Sequence, residues 1–161
     1  MKLRNYGRIR QPNTRGAKLV MHSSPVLRII DENLNRLAEG LRVLEDISRM
    51  VLDDTELTAR LKALRHDLIR GDLAFNLQLL DSRNSSGDVG AALDVSGEAK
   101  QKDLPILAIA NFRRCQEALR VLEDLAKLPQ LSQDMESDKF RKARFELYTL
   151  EKELVSRLKV Q

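Results

Sequence analysis

Two blocks of polar residues recur in this chain at the same spacing. Residues 33–46 read NLNRLAEGLRVLED, and residues 111–124, 78 positions later, read NFRRCQEALRVLED, so nine of fourteen positions are identical. Arginine side chains bind phosphate or carboxylate through paired N–H groups. Glutamates on the rim of such a site could hold a divalent cation or pair with the arginines. The blocks therefore predict an anion site, with candidate residues Asn33, Arg36, Glu39, Asn111, Arg114 and Glu117.

Helical periodicity indicates which of these residues are buried. The apolar side of the first block is formed by Leu34, Leu37, Leu41 and Leu44. Asn33 falls within that stripe and Arg36 on its border, and Asn111 and Arg114 repeat the pattern. Buried amides and half-buried guanidinium groups are costly unless they are paired. We therefore expect these four polar residues to meet around one cavity.

The charged residues that close each block have a simpler explanation. They are Arg42, Glu45 and Asp46 in the first block and Arg120, Glu123 and Asp124 in the second. Their spacing is that of i,i+3 and i,i+4 ion pairs, each of which stabilises an exposed helix by ~0.2–0.5 kcal/mol. We expect them to be exposed and structural.

The segment RNSSGDVG, residues 83–90, is a further candidate site. Glycine and serine allow backbone N–H groups to approach a phosphate. Asp88 could ligate a metal ion or accept a proton. A plain solvated turn explains the same composition equally well.

These residues are expected to lie on four helices. Periodicity, caps and prolines predict helices at about 25–52, 56–80, 105–129 and 137–158, with a long loop at 81–104. The second helices of the two halves also match weakly, at residues 62–68 and 141–147. We predict an all-α fold in which two helical hairpins, about 25–80 and 105–159, form a pseudo-twofold four-helix bundle.

Length and charge set the domain boundaries. The 161 residues suffice for one domain, expected at 24–161. Residues 1–22 hold six basic residues and no acidic one, whereas the whole chain carries only +4. We expect residues 1–23 to be a disordered tail, or Met21 to be the true start, and not a nucleic-acid-binding arm.

Several classes of protein are disfavoured. No stretch approaches the ~18 apolar residues of a membrane span, and no apolar run follows the N-terminal basic residues. The single cysteine, Cys115, cannot form an internal disulfide, which suits a cytoplasmic protein. We expect Cys115 to pack as a small hydrophobic residue.

The doubled NxxRxxE-[GA]-LRVLED block, with RxxxGDVG between the copies and RxxRxELYxLEKEL at the end, resembles a known family. It is a small all-helical family associated with hydroxymethylpyrimidine phosphate kinase activity in thiamine biosynthesis. Its members occur alone or fused ahead of thiamine-phosphate synthase, as in cyanobacteria. The match covers about residues 25–155, and Asn84, Ser85 and Ala91 depart from the Asp, Thr and Thr usual in the family.

The resemblance implies a kinase that converts hydroxymethylpyrimidine phosphate to the diphosphate with ATP and Mg²⁺. Such enzymes act mostly by positioning and charge neutralisation. The implied catalytic residues are Asp88, Arg36 and Arg114, and the implied metal ligands are Glu39 and Glu117. The implied substrate- and phosphate-binding residues are Asn33, Asn111, Arg65, Arg83, Gly87, Gly90 and Arg144.

Two other functions remain open. A non-catalytic helical module would bind or regulate a separate thiamine-phosphate synthase. It would dock through the repeated polar face, which is the face formed by the polar residues that recur in blocks 33–46 and 111–124. A helical mutase or lyase would use two arginines on a small dianion without a metal. The chain is shorter than the ~200 or more residues of the synthase barrel, so we do not expect synthase activity from it alone. A homodimer is also allowed.

Overall fold

The computed structural model describes residues 25–90 and 103–160, and these form five α-helices and no strand. They are α1 (Pro25–Met50), α2 (Thr55–Ile69), α3 (Leu73–Ser82), α4 (Leu104–Leu125) and α5 (Ser137–Leu158). The all-α prediction is confirmed. None of the described helices is long and apolar enough to cross a membrane. The predictions for the basic tail and for Ala91 lie outside the described residues.

Aspartate side chains begin two of the helices. Asp54 accepts a hydrogen bond from the Leu57 amide at 3.0 Å at the start of α2. Asp103 accepts one from the Ile106 amide at 2.9 Å at the start of α4. Such caps satisfy N–H groups that have no partner within the helix. The breaks expected near residues 53–55 and 105 are thus confirmed.

The prediction of a single helix at 56–80 is wrong, because this stretch of the chain is divided into α2 and α3 around Gly71. The backbone of Arg70 is extended, with ψ of 91°. Glycine within a helix lowers the stability of the helix by about 1 kcal/mol relative to alanine. Ending the helix at this point therefore sacrifices little stability. The turn lets Phe75 and Leu79 of α3 become buried beside α1.

The fold is built on α1 and α4, which pack against each other. α2 and α3 pack on α1, α5 packs on α4, and α2 also contacts α5. The buried core is rich in leucine and includes Leu37, Leu41, Leu44, Leu119, Leu147 and Leu150, all fully buried. Arg157 near the end of α5 pairs with Asp54, which joins the α1–α2 turn to the last helix.

Counterpart residues of the two blocks meet where α1 and α4 contact. Leu37 and Cys115 occupy the same position in the repeat, and the Cys115 thiol donates to the Leu37 carbonyl at 3.8 Å. Burial raises the pKa of that thiol to about 12, so Cys115 stays protonated and packs as expected. A twofold relation would bring such counterparts together, but the pseudo-twofold bundle stays a prediction, and α3 adds a fifth helix to the first half.

Gly40 allows this close approach. A Cβ atom at Gly40 would lie 2.4 Å from Cys115 Sγ and 3.3 Å from the Asn111 carbonyl oxygen. Both distances are shorter than ordinary van der Waals contacts, so one of the helices would have to move.

We predict that Gly40→Ala lowers the free energy of unfolding by about 1–2 kcal/mol, because overpacking outweighs the gain in helix propensity. Urea denaturation measures this change. Cys115→Ala serves as the control, and the double variant should be more stable than the sum of the single effects predicts. A Gly40→Ala protein as stable as the parent would contradict the packing.

Candidate functional site

An open groove of about 710 Å³ lies between the first half of α1 and the residues that follow α3. Its volume is within the range of ~300–1,000 Å³ usual for small-molecule sites. Three arginines and three acids line it, namely Arg28, Arg36, Arg83, Asp31, Glu32 and Asp88. Both walls of the groove therefore carry both signs of charge.

Arg83 and Asp31 connect the two walls. Arg83 donates from Nε to Asp31 Oδ2 at 2.6 Å and from a terminal nitrogen to Oδ1 at 2.9 Å. This hydrogen bonding raises the pKa of Arg83, and the Asp31 side chain is only 13% exposed. A bidentate pair fixes the orientation of the guanidinium group. The predicted residue Arg83 is thus held in place by an aspartate that the sequence comparison did not indicate.

Comparing the two halves of the sequence does not point to Asp31, because the residue at the matching position of the second half is Ile109. Arg28, another groove residue that was not predicted, has Ile106 as its counterpart. The sequence does contain one signal that could have identified both residues. The spacing of Arg28, Asp31, Glu32 and Arg36 places four charges along one side of α1.

The other two arginines of the groove are held loosely. Arg36 pairs with Glu32 at 3.0 Å, but both side chains are more than half exposed, and such pairs contribute little. Arg28 donates to the Asn84 carbonyl at 3.4 Å. Arg36 is therefore exposed rather than half-buried, and both guanidinium groups can turn toward a ligand.

The residues after α3 form a short 3₁₀ turn, Ser85–Gly87, closed by their own side chains. The Gly87 amide donates to Asn84 Oδ1 at 3.1 Å, and the Gly90 amide donates to Asp88 Oδ1 at 2.9 Å. A Cβ atom at Gly87 would lie 2.5 Å from Asn84 Nδ2. The two amides expected to face a phosphate therefore bond within the loop.

Asn33 and Asn111 are buried, as predicted, with 5% and 3% of their surface exposed. The side-chain amides donate to the carbonyl oxygens of Ile29 at 2.8 Å and Leu107 at 2.9 Å, four residues earlier in each helix. The cost of burial is thus met within the helix itself. A polar cavity is not needed to satisfy these groups.

The structure brings only some of the predicted site residues together. Asn33, Arg36, Arg83 and Asp88 line the groove. Asn111 and Arg114 do not line it, and Arg114 is exposed with a 3.5 Å contact to Asn111 Oδ1. The roles assigned to these residues stay predictions.

Glu39 and Glu117, the predicted metal ligands, are exposed on α1 and α4. Within residues 25–90 and 103–160, no three or more His, Cys, Asp or Glu side chains cluster in a way that could hold a metal ion. Their assignment to a metal also stays a prediction.

Glu45 and Glu123 are buried, which corrects the expectation of exposed helix pairs. Arg65 Nε donates to Glu45 Oε2 at 2.9 Å, and Arg144 donates to Glu123 Oε2 at 2.8 Å. Arg65 and Arg144, predicted to bind phosphate, thus join each second helix to its repeated block. Each glutamate follows a stripe leucine by one and by four residues, which places it beside the buried stripe.

The ion pair between Glu123 and Arg144 makes stability depend on pH. The hydrogen bond from Arg144 lowers the pKa of Glu123 below its ordinary value of 4.5. A carboxylate with a lowered pKa contributes stability that is present above the unfolded value and lost as pH falls through the folded one.

We predict that Glu123→Gln lowers the free energy of unfolding at pH 7 by about 2 kcal/mol or more, since it leaves the Arg144 charge without its partner. The difference from the parent should shrink as pH falls below 4.5. Denaturation at several pH values measures both effects. Asp124→Asn, at an exposed neighbour, is the control and should change stability by less than about 0.5 kcal/mol. A difference that does not depend on pH would contradict the role of the carboxylate.

Comparison with known proteins decides the family. The model of the ThiD2 family matches residues 28–153. This chain belongs to the ThiD2 family. No solved structure matches it significantly.

The relatives of this ThiD2-family chain include proteins named thiamine-phosphate synthase. A protein from Rhodopirellula baltica is 45% identical over 65% of this chain and 28% of its own length. One from Nostoc punctiforme is 35% identical over 81% of this chain and 35% of its own length. One from Thermosynechococcus vestitus is 40% identical over 79% of this chain and 34% of its own length. The chain thus spans about a third of the relatives it matches.

These names correct the function implied by the resemblance. The matched relatives are named for thiamine-phosphate synthase and not for a kinase. The prediction of a hydroxymethylpyrimidine phosphate kinase is therefore wrong. The relation to thiamine biosynthesis and the helical fold are confirmed.

Proposed function

We propose that this chain is a helical binding or regulatory module associated with thiamine-phosphate synthase. The observation that supports this proposal is the match of 81% of the chain to the Nostoc punctiforme protein, of which it spans 35%. In that relative, the matched region shares one polypeptide with the other two thirds. The proposal holds whether the module is joined to the synthase or meets it as a separate chain.

An apolar surface on α3 suits a protein partner. Leu73, Leu77 and Leu80 are 72%, 51% and 53% exposed. Their spacing of i, i+4 and i+7 places them on one side of the helix, and among the described helices α3 packs mainly on α1. Exposed apolar surface of this kind is typical of protein interfaces. We propose that this leucine stripe, rather than the repeated polar face, contacts the synthase.

Many of the charged residues of the repeated polar face already pair within their own helices. Arg49 contacts Asp46 at 3.4 Å, and Lys127 contacts Asp124 at 2.8 Å. Such pairs satisfy the charges without a partner protein. The ligands expected from the sequence, a phosphorylated pyrimidine and ATP with Mg²⁺, and a cytoplasmic location stay predictions.

We predict that the purified chain binds the part of the Nostoc punctiforme protein outside the matched region. Replacing Leu73 and Leu77 by Asp should weaken that binding at least tenfold, because burying a charge in an interface is costly. Calorimetric titration measures the affinity, and circular dichroism checks that the variant remains helical.

Met50→Asp is the matched control. Met50 is 63% exposed and lies at the last residue of α1, away from the contact between Asp31 and Arg83. It should bind as the parent does. Absence of binding by the folded parent would reject the association with the synthase. Equal weakening of the affinity by both variants would reject the leucine stripe as the contact surface.

A further inference from the structure

We infer that a cavity between the end of α2, the start of α3 and the start of α5 binds an organic cation with an apolar body. This cavity is separate from the groove that Asp31 and Arg83 line, because the two have no lining residue in common. The inference does not rest on the association with the synthase, since it concerns a ligand of the isolated chain.

The cavity is formed jointly by the two halves of the chain. Residues 68–76 of the first half and residues between 133 and 140 of the second half line it, and α1 adds Leu34. Its volume of about 450 Å³ lies within the range of ~300–1,000 Å³ usual for small-molecule sites. The folded chain therefore offers a space of suitable size that neither half could form alone.

The buried side chains that form the floor of the cavity are apolar and partly aromatic. Phe75, Met135 and Phe140 are 9%, 6% and 6% exposed, and Leu34 and Leu68 complete the floor. Phenyl rings and a thioether make favourable contacts with flat apolar groups, and aromatic rings also attract cations. The floor therefore suits a ligand with an apolar body.

The exposed rim of the cavity carries three carboxylates, from Asp72, Asp134 and Glu136. None of the three side chains has a hydrogen bond or an ion pair with another residue in the described part of the chain. Carboxylates bind ammonium groups through charge-assisted hydrogen bonds. Their negative charge is thus available to a positively charged ligand.

Two basic residues also line the cavity, but they do not cancel these carboxylates. Lys139 donates to the Asp67 carbonyl at 2.6 Å and contacts the Asp67 carboxylate at 3.2 Å. Asp67 does not line the cavity, so the charge of Lys139 is compensated from outside. Only the exposed guanidinium group of Arg70 is left to oppose three carboxylates, and the rim favours a cation.

Helix capping does not account for two of the carboxylates. Asp72 and Glu136 stand immediately before α3 and α5, where a side-chain oxygen can accept a hydrogen bond from the first turn. Neither side chain accepts such a bond, whereas Asp54 and Asp103 do so at the starts of α2 and α4. Helix N-termini themselves favour anions, so an anion has to be among the compounds tested.

Benzylamine, benzyl alcohol and benzoate are probes of similar size that carry a positive charge, no charge and a negative charge near neutral pH. Titration of the isotope-labelled chain with each probe, followed by NMR, tests the inference. We expect benzylamine to bind with a Kd of ~1 mM and to shift the amide signals of Gly71 and Met135. It should bind about tenfold more tightly than the other two probes, because only an ammonium group gains charge-assisted hydrogen bonds from the rim.

Two double variants separate the effect of the rim from that of net charge. Asp134→Asn with Glu136→Gln should weaken benzylamine binding about tenfold, because the ammonium group loses two carboxylates. Asp81→Asn with Glu146→Gln is the matched control. It removes the same charge from exposed positions of α3 and α5 that do not line the cavity, so it should bind as the parent does. Circular dichroism checks that both variants remain helical.

Three results would overturn the inference. The first is the absence of any shift at about 10 mM benzylamine, well above the expected Kd of ~1 mM. The second is binding of benzyl alcohol or benzoate as tight as that of benzylamine, which would show that the carboxylates do not select a cation. The third is equal weakening by the two double variants, which would show attraction to net charge alone. None of these results bears on binding to the synthase, which is measured separately.

Discussion

The close approach of α1 and α4 is the constraint on which the other contacts depend. It requires a residue without a Cβ atom at Gly40, because Cys115 Sγ and the Asn111 carbonyl occupy that space. The counterpart of Gly40 is Ala118, which is also small and 2% exposed. Because α1 and α4 lie this close, Asn33 and Asn111 are buried. Their side-chain amides donate hydrogen bonds to carbonyl groups of their own helices.

The repeated charged residues hold α2 to α1 and α5 to α4. The same contact occurs in both halves, between Glu45 and Arg65 and between Glu123 and Arg144. Breaking a buried pair of this kind is costly because the remaining charge stays buried. Repetition of these residues is therefore explained by the fold that both halves need, without a ligand.

The two halves differ at several positions of the groove, where Arg28, Asp31 and Glu32 have Ile106, Ile109 and Ala110 as counterparts. The groove and the leucine stripe of α3 both belong to the first half, and Arg83 follows directly after α3. The relatives named thiamine-phosphate synthase contain further chain beyond the matched third, and it is this further part that the proposed function has the leucine stripe contact.

The sequence by itself determined the helical class, most helix ends, and the burial of Asn33 and Asn111, because periodicity and capping act within a few residues. The division of α2 from α3 was missed, since Gly71 permits a turn but the burial of Phe75 and Leu79 against α1, which favours the turn, depends on a distant part of the chain. Tertiary structure alone decided which charges of different segments meet. Arg83 and Asp31 are 52 residues apart, and Arg65 and Glu45 are 20 apart. Such pairs depend on how helices are placed relative to one another, and no local pattern specifies that placement.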